Sequence, residues 1–114
     1  MTRTITRDEL RRAIEGGEVV VVETLGPSHY DDAHLPGAIN IPHTDVEALA
    51  PARLPDKDAA VVTYCSNTAC QNSSLVQAQL IRMGYTNVRK YAEGKQDWQE
   101  AGLALEGAGA PAAR

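Results

Sequence analysis

The sequence predicts an α/β domain in three layers, with a central, mainly parallel sheet between helices. Two observations carry this. The runs Val19-Val20-Val21-Val22 and Ala60-Val61-Val62-Thr63-Tyr64 are β-branched and apolar on both faces, which marks strands covered on both sides. Segments with helical spacing separate them, so strands and helices alternate along the chain. With 114 residues, 43% of them apolar and 23% charged, the chain has the make-up of one soluble globular domain.

Thr6 and Glu9 have capping-box spacing, and Leu10, Ala13 and Ile14 form a short apolar stripe that Gly16-Gly17 ends. Val19 to Val22 follows as a central strand. Gly26-Pro27-Ser28 leads to a short polar segment, His29 to Ala33, read as one helical turn. Leu35-Pro36-Gly37 is a turn, and Ala38-Ile39-Asn40-Ile41 a short strand ended by Pro42. Thr44 caps a helix through Ala50, and Pro51 and Pro55 bracket a connection. Ala60 to Tyr64 is the second buried strand. Ser73 to Met83 places Val76, Leu80 and Met83 at helical spacing, with Gly84 at the C′ position. Val88 to Tyr91 reads as a further strand and Lys95 to Ala101 as a last helix. Residues 1–106 are expected to form the single domain, and the small-residue segment 107–114 a flexible tail.

Eleven basic residues against fifteen acidic ones give a net charge of −4, with no basic cluster. That argues against a nucleic-acid or anionic-membrane surface. No purely apolar run is longer than Val19 to Val22, far too short to span a bilayer, and the N-terminus has no apolar signal-peptide core. Two cysteines are poor evidence for a structural disulfide, so a cytoplasmic protein with reduced thiols is expected, as a monomer or homodimer.

Cys65 is the most informative residue. It ends a buried strand and precedes a helix expected near Ser73, where unpaired N–H groups and the helix dipole favour a thiolate. The loop Ser66, Asn67, Thr68, Ala69, Cys70, Gln71, Asn72, Ser73 is small or polar throughout and can curl into an anion-binding nest of amides. Position alone leaves two readings open: a reactive nucleophile, or an inert buried cysteine. Cys70 is likewise either a resolving cysteine that closes on Cys65 or a small packing residue. Two cysteines without a second ligand pair do not make a zinc site.

His34-Leu35-Pro36-Gly37-Ala38-Ile39-Asn40-Ile41-Pro42, Val61-Val62-Thr63-Tyr64-Cys65, Met83-Gly84-Tyr85-Thr86-Asn87-Val88 and Gly94-Lys95-Gln96-Asp97-Trp98 occur in an order and spacing that resembles single-domain rhodaneses. The resemblance runs from Val19 to about Leu105. It implies a rhodanese-like fold and a sulfurtransferase or sulfane-sulfur carrier, with the persulfide on Cys65 and no metal or organic cofactor. The partners implied are a small sulfur donor and a thiol or protein acceptor.

Three departures from that family stand out. Its usual Asp-x-Arg pattern reads Glu23-Thr24-Leu25 here, so the charge pair expected there is lost. The cysteine loop looks about two residues longer than usual, and it contains no Arg or Lys. A dianion such as thiosulfate would then rest on amides and the helix dipole alone. Losing a charge-assisted bond costs roughly 1.5–3 kcal/mol, so activity on thiosulfate is expected to be weak. The alternative is a catalytically weak or inactive module that binds a partner or senses redox state. A phosphatase or arsenate reductase is disfavoured, because Gln71 stands where that chemistry needs an arginine clamp. His34 is expected to tie down its turn, His29 and His43 to be exposed, Tyr91 and Trp98 to pack, and Arg7, Asp8, Glu9, Arg11 and Arg12 to form a solvated helix face.

Overall fold

The structure, a computed structural model, describes residues 3–109. Its first helix, α1 (Arg7–Glu15), begins at the expected capping box: Thr6 Oγ1 accepts from the Glu9 amide, and Glu9 accepts from the Thr6 amide. The Thr6 amide and hydroxyl both donate to the Glu9 carboxylate and, the amide foremost, hold its pKa below the ordinary value. Gly16 caps the helix and Gly17, at φ 67°, turns the chain away.

Four strands follow in one sheet: β1 (Val20–Glu23), β2 (Ile39–Asn40), β3 (Val61–Tyr64) and β4 (Val88–Tyr91). Their order is β2-β1-β3-β4 and every pairing is parallel. The two doubly apolar strands are therefore the central pair, as their composition predicts. Thr4 adds one parallel bridge to Lys90 outside β4, an extension that the polar N-terminal sequence does not advertise.

Alternation along β1 and β3 divides the core. Val21, Val62 and Tyr64 pack with Leu10 of α1 and with Trp98 of α5 (Gly94–Glu100). Val22 and Val61 pack on the other face with Val46 and Ala50 of α3 (Val46–Arg53) and with Val76 and Leu80 of α4 (Asn72–Arg82). The short helix α2 (Pro27–Asp32) joins β1 to β2, with Pro27 in the first turn, where its missing N–H costs nothing. The three-layer α/β/α arrangement stands.

Several boundaries differ from the sequence reading. Asp45, not Thr44, precedes α3, and Pro51 lies inside that helix rather than beyond it. Val46, Ala50 and Leu54 form one buried stripe at four-residue spacing, which holds the last turn down past the proline. Glu47, whose carbonyl loses its usual donor, is exposed to water. Glu106 exchanges two 2.8 Å backbone bonds with His34, and beyond it Ala108 and Gly109, in the segment expected as a tail, donate to Asp31 and Asp32. Of the expected tail, residues 110–114 lie outside the described residues. Among the described residues, no helix is long and apolar enough to cross a membrane.

The division of α4 into a buried and an exposed face gives a direct test. Leu80 is fully buried and Leu75 is 56% exposed. Leu80→Ala is expected to lower the unfolding free energy by about 2–5 kcal/mol, and Leu75→Ala by no more than about 0.5 kcal/mol, in denaturant titrations.

Candidate active site

The strands end in register. Asn40, Glu23, Tyr64 and Tyr91 form one row across the carboxyl edge of the sheet, and Cys65 is the first residue beyond it on a central strand. Ligands of open α/β sheets gather at this edge.

The backbone around Cys65 is fixed by three successive carbonyls. Tyr64 O accepts from the Thr24 amide at 3.1 Å and from its hydroxyl at 2.9 Å. Cys65 O accepts from the Lys95 amide at 2.9 Å, and Ser66 O from the Gln96 amide at 2.8 Å. The last two bonds need α5 to start against the loop. Gly94, at φ 76°, allows this: a Cβ there would lie 2.6 Å from Cys65 O and 2.9 Å from Asn67 N. Only glycine suits both the conformation and the space. On the other side, Thr63 Oγ1 donates to Ser73 O in the first turn of α4, at 3.0 Å.

Between these anchors runs the expected loop. Cys65 is 1% exposed and joined to Cys70 by a disulfide, with Cα atoms 6.2 Å apart. The expectation of two reduced thiols is thus corrected: the structure holds the oxidised pair. The bond closes a single connection between β3 and α4 and ties no two elements together. On chain-entropy grounds a loop this short contributes only about 2 kcal/mol. Asn67 shapes the turn, its carbonyl accepting from the Cys70 amide at 3.2 Å and its Oδ1 from the Ala69 amide at 3.0 Å. Two amides expected in an anion nest are therefore engaged within the loop. Helix α4 begins without a side-chain cap, which leaves its first-turn N–H groups and dipole directed at the loop. Ser66 Oγ lies 3.9 Å from Cys65 Sγ. Thr68 and Gln71 are exposed, Asn72 is partly buried and Ser73 is buried.

The lost Asp-x-Arg pair is replaced by another. Glu23, 0% exposed, meets Lys95 Nζ at 2.9 Å, and the same oxygen accepts from the Tyr64 hydroxyl at 2.7 Å. The sequence reading expected no charge pair after β1; the cation comes from α5 instead. A buried carboxylate at the end of an all-valine strand was the available signal, because such a group needs a partner. Lys95 is thereby neutralised. A second lysine, Lys90 of β4, donates to Ser74 Oγ at 2.8 Å in the first turn of α4 and has no carboxylate partner among the described residues. The loop has no cation of its own, but its helix has one alongside.

Beside the loop, a cleft of about 210 Å³ is lined by Thr68, Glu93, Gln96, Asp97 and Glu100. Its carboxylates oppose a dianion. Asp97 is partly compensated by Arg7, at 3.1 Å, so Arg7 is not simply part of a solvated face as expected. His34 behaves as expected: its Nδ1 lies 2.7 Å from Tyr30 O and its ring stacks on Tyr30. His29 and His43 are exposed, and Tyr91 and Trp98 are buried. Among the described residues, no three His, Cys, Asp or Glu side chains come together as a metal set.

A small parallel α/β domain that presents a cysteine loop between a central strand and a helix N-terminus defines the class. Residues 6–101 match the rhodanese-like domain, and the chain belongs to that family. An HTH-type transcriptional regulator of Mycobacterium tuberculosis is 34% identical over 107 residues, covering 94% of this chain; the chain spans 46% of the regulator's length. The thiosulfate sulfurtransferase PspE of Escherichia coli is 38% identical over 76 residues, covering 67% of this chain and 70% of PspE. A Bacillus halodurans protein of known structure superposes with a TM-score of 0.88 at 24% identity, over 96% of this chain and 80% of that one.

Two measurements test this geometry. Lys95→Met strands the Glu23 carboxylate and is expected to cost about 3–5 kcal/mol. Adding Glu23→Gln should recover a measurable part of that loss in a double-mutant cycle. Alkaline titration tests the tyrosines. Burial, with Glu23 beside it, raises the Tyr64 phenol far above its ordinary value, and burial with the Asp97 hydrogen bond does the same for Tyr91. Unfolded tyrosines ionise near pH ~10. The folded state holds these protons longer, so stability is full below about pH 10 and falls as pH rises beyond it. Denaturant midpoints should decline there, and less steeply in Tyr91→Phe.

Proposed function

We propose that the domain is a sulfurtransferase or sulfane-sulfur carrier that forms a persulfide on Cys65. The observation that carries this is the placement of Cys65 in a rhodanese-like domain: first beyond a central strand, with its backbone pinned, before the uncapped N-terminus of α4. In the reduced protein, that helix end favours the thiolate. The thiolate attacks the outer sulfur of a small donor, the donor's remainder leaves as an anion, and Cys65 holds the persulfide. The Ser66 hydroxyl and the first-turn amides support its charge. A thiol or protein acceptor then removes the outer sulfur. This chemistry belongs among the reduced thiols of the cytoplasm.

Thiosulfate is a poor match to the site. Lys95 is neutralised by Glu23, the neighbouring cleft is acidic, and Lys90 adds one positive charge beside the first turn of α4. A less charged persulfide or a protein donor fits better. A second reading, a non-catalytic binding or redox-sensing module, is favoured by the 34% identity to a transcriptional regulator.

The two readings separate by mass spectrometry of reduced Cys70→Ser protein, whose loop cannot close a disulfide, after incubation with thiosulfate or a small persulfide. The expected result is one added sulfur, absent in Cys65→Ser, with thiosulfate about tenfold to a hundredfold less effective than the persulfide. No added sulfur from either donor, with a Cys65 thiol of ordinary pKa near ~8.5, would leave only the module.

A further inference from the structure

We infer that Cys65 and Cys70 form a dithiol that reduces sulfane sulfur to hydrosulfide, with Cys70 as a built-in acceptor for the sulfur carried by Cys65. This rests on the sulfur-loading reading of Cys65 and gives the loaded sulfur a fate. The closed pair, with Cα atoms 6.2 Å apart, is already within the span a disulfide requires. The closed pair spans only the connection between β3 and α4, and that connection is anchored at both ends: by the carbonyls of Tyr64, Cys65 and Ser66 on one side, and by the Thr63–Ser73 bond on the other. Within the pair, the turn at Asn67 is held by two hydrogen bonds that bring Cys70 back over the strand end.

The steps balance. The Cys65 thiolate takes a neutral sulfur atom from the donor, releasing sulfite from thiosulfate or a thiolate from a persulfide. The Cys70 thiolate then attacks the inner sulfur of the Cys65 persulfide, its S–S bond breaks, and hydrosulfide leaves with the electron pair. The sulfane sulfur gains two electrons and the two cysteines lose them as one disulfide. The Cys70 proton goes to solvent or to the departing hydrosulfide. An acceptor within the same loop acts at an effective concentration on the order of millimolar or higher, so it outruns dilute external thiols.

The closed state also sets how the cycle resets. Cys65 is 1% exposed, whereas Cys70 is partly exposed. An external dithiol therefore attacks the Cys70 sulfur, and Cys65 leaves as the thiolate, near the helix end that stabilises it. The mixed disulfide left on Cys70 is released by a second thiol, which a dithiol supplies within the same encounter.

The test is a single turnover. The 114-residue chain is reduced, freed of reductant and mixed with excess thiosulfate or, in parallel, glutathione persulfide. Hydrosulfide above the Cys65→Ser blank and intact mass are followed. The wild type is expected to release one hydrosulfide per chain and to finish lighter by two hydrogens. Cys70→Ser is expected to finish heavier by one sulfur and to keep that persulfide roughly tenfold longer or more. A wild-type persulfide as long-lived as that of Cys70→Ser would overturn the inference while leaving the sulfurtransferase reading intact. If Cys70→Ser gains no sulfur from either probe, both fall. Circular dichroism of each variant checks that it is folded.

Discussion

The buried carboxylate of Glu23 is the constraint on which the site depends. It stands at the end of a central strand, out of water, where an unpaired charge would be prohibitive. One oxygen gathers both the Lys95 ammonium and the Tyr64 hydroxyl, and so links β1, β3 and α5 at a single point. Lys95 also holds the Cys65 carbonyl through its own amide. One residue thus supplies the charge that permits burial and the hydrogen bond that fixes the backbone at Cys65. The glycine before it follows from the same geometry, since α5 must start in contact with the loop for either bond to form.

This arrangement separates positioning from ligand charge. Lys95 holds the scaffold, and its positive charge is directed inward at a carboxylate. The outward face of the loop is left with helix N–H groups, a hydroxyl and the lysine on β4, next to a cleft rich in carboxylates. Small changes in the charge of a ligand should therefore matter more at this loop than changes in its size. In the oxidised loop Asn67 engages the Ala69 and Cys70 amides, two of the groups an open nest would present.

The sheet was readable from sequence because its central strands are valine runs whose β-branched side chains permit little else. The capping box at Thr6 and the glycine that ends α1 were equally local, and equally readable. Pro51 misled because a proline usually ends a helix, and only the buried stripe through Leu54 shows why this helix continues. Arg7, Lys90 and Lys95 were hidden for a different reason. Their partners lie on other elements, and no spacing rule connects Arg7 to Asp97 or Lys95 to Glu23. Cys65 stood out by its place at a strand end, but the closed state of the pair depended on how the loop folds between two fixed ends, which composition does not set.

Those fixed ends have a consequence for how such a domain can diversify. The anchors at Tyr64, Cys65 and Ser66 on one side and Ser73 on the other are made by backbone groups and by residues outside the loop. The segment between Asn67 and Asn72 is therefore a cassette. Its length and side chains can be exchanged with little disturbance to the sheet, so one scaffold can be adapted to different ligands by replacing a single short stretch of chain.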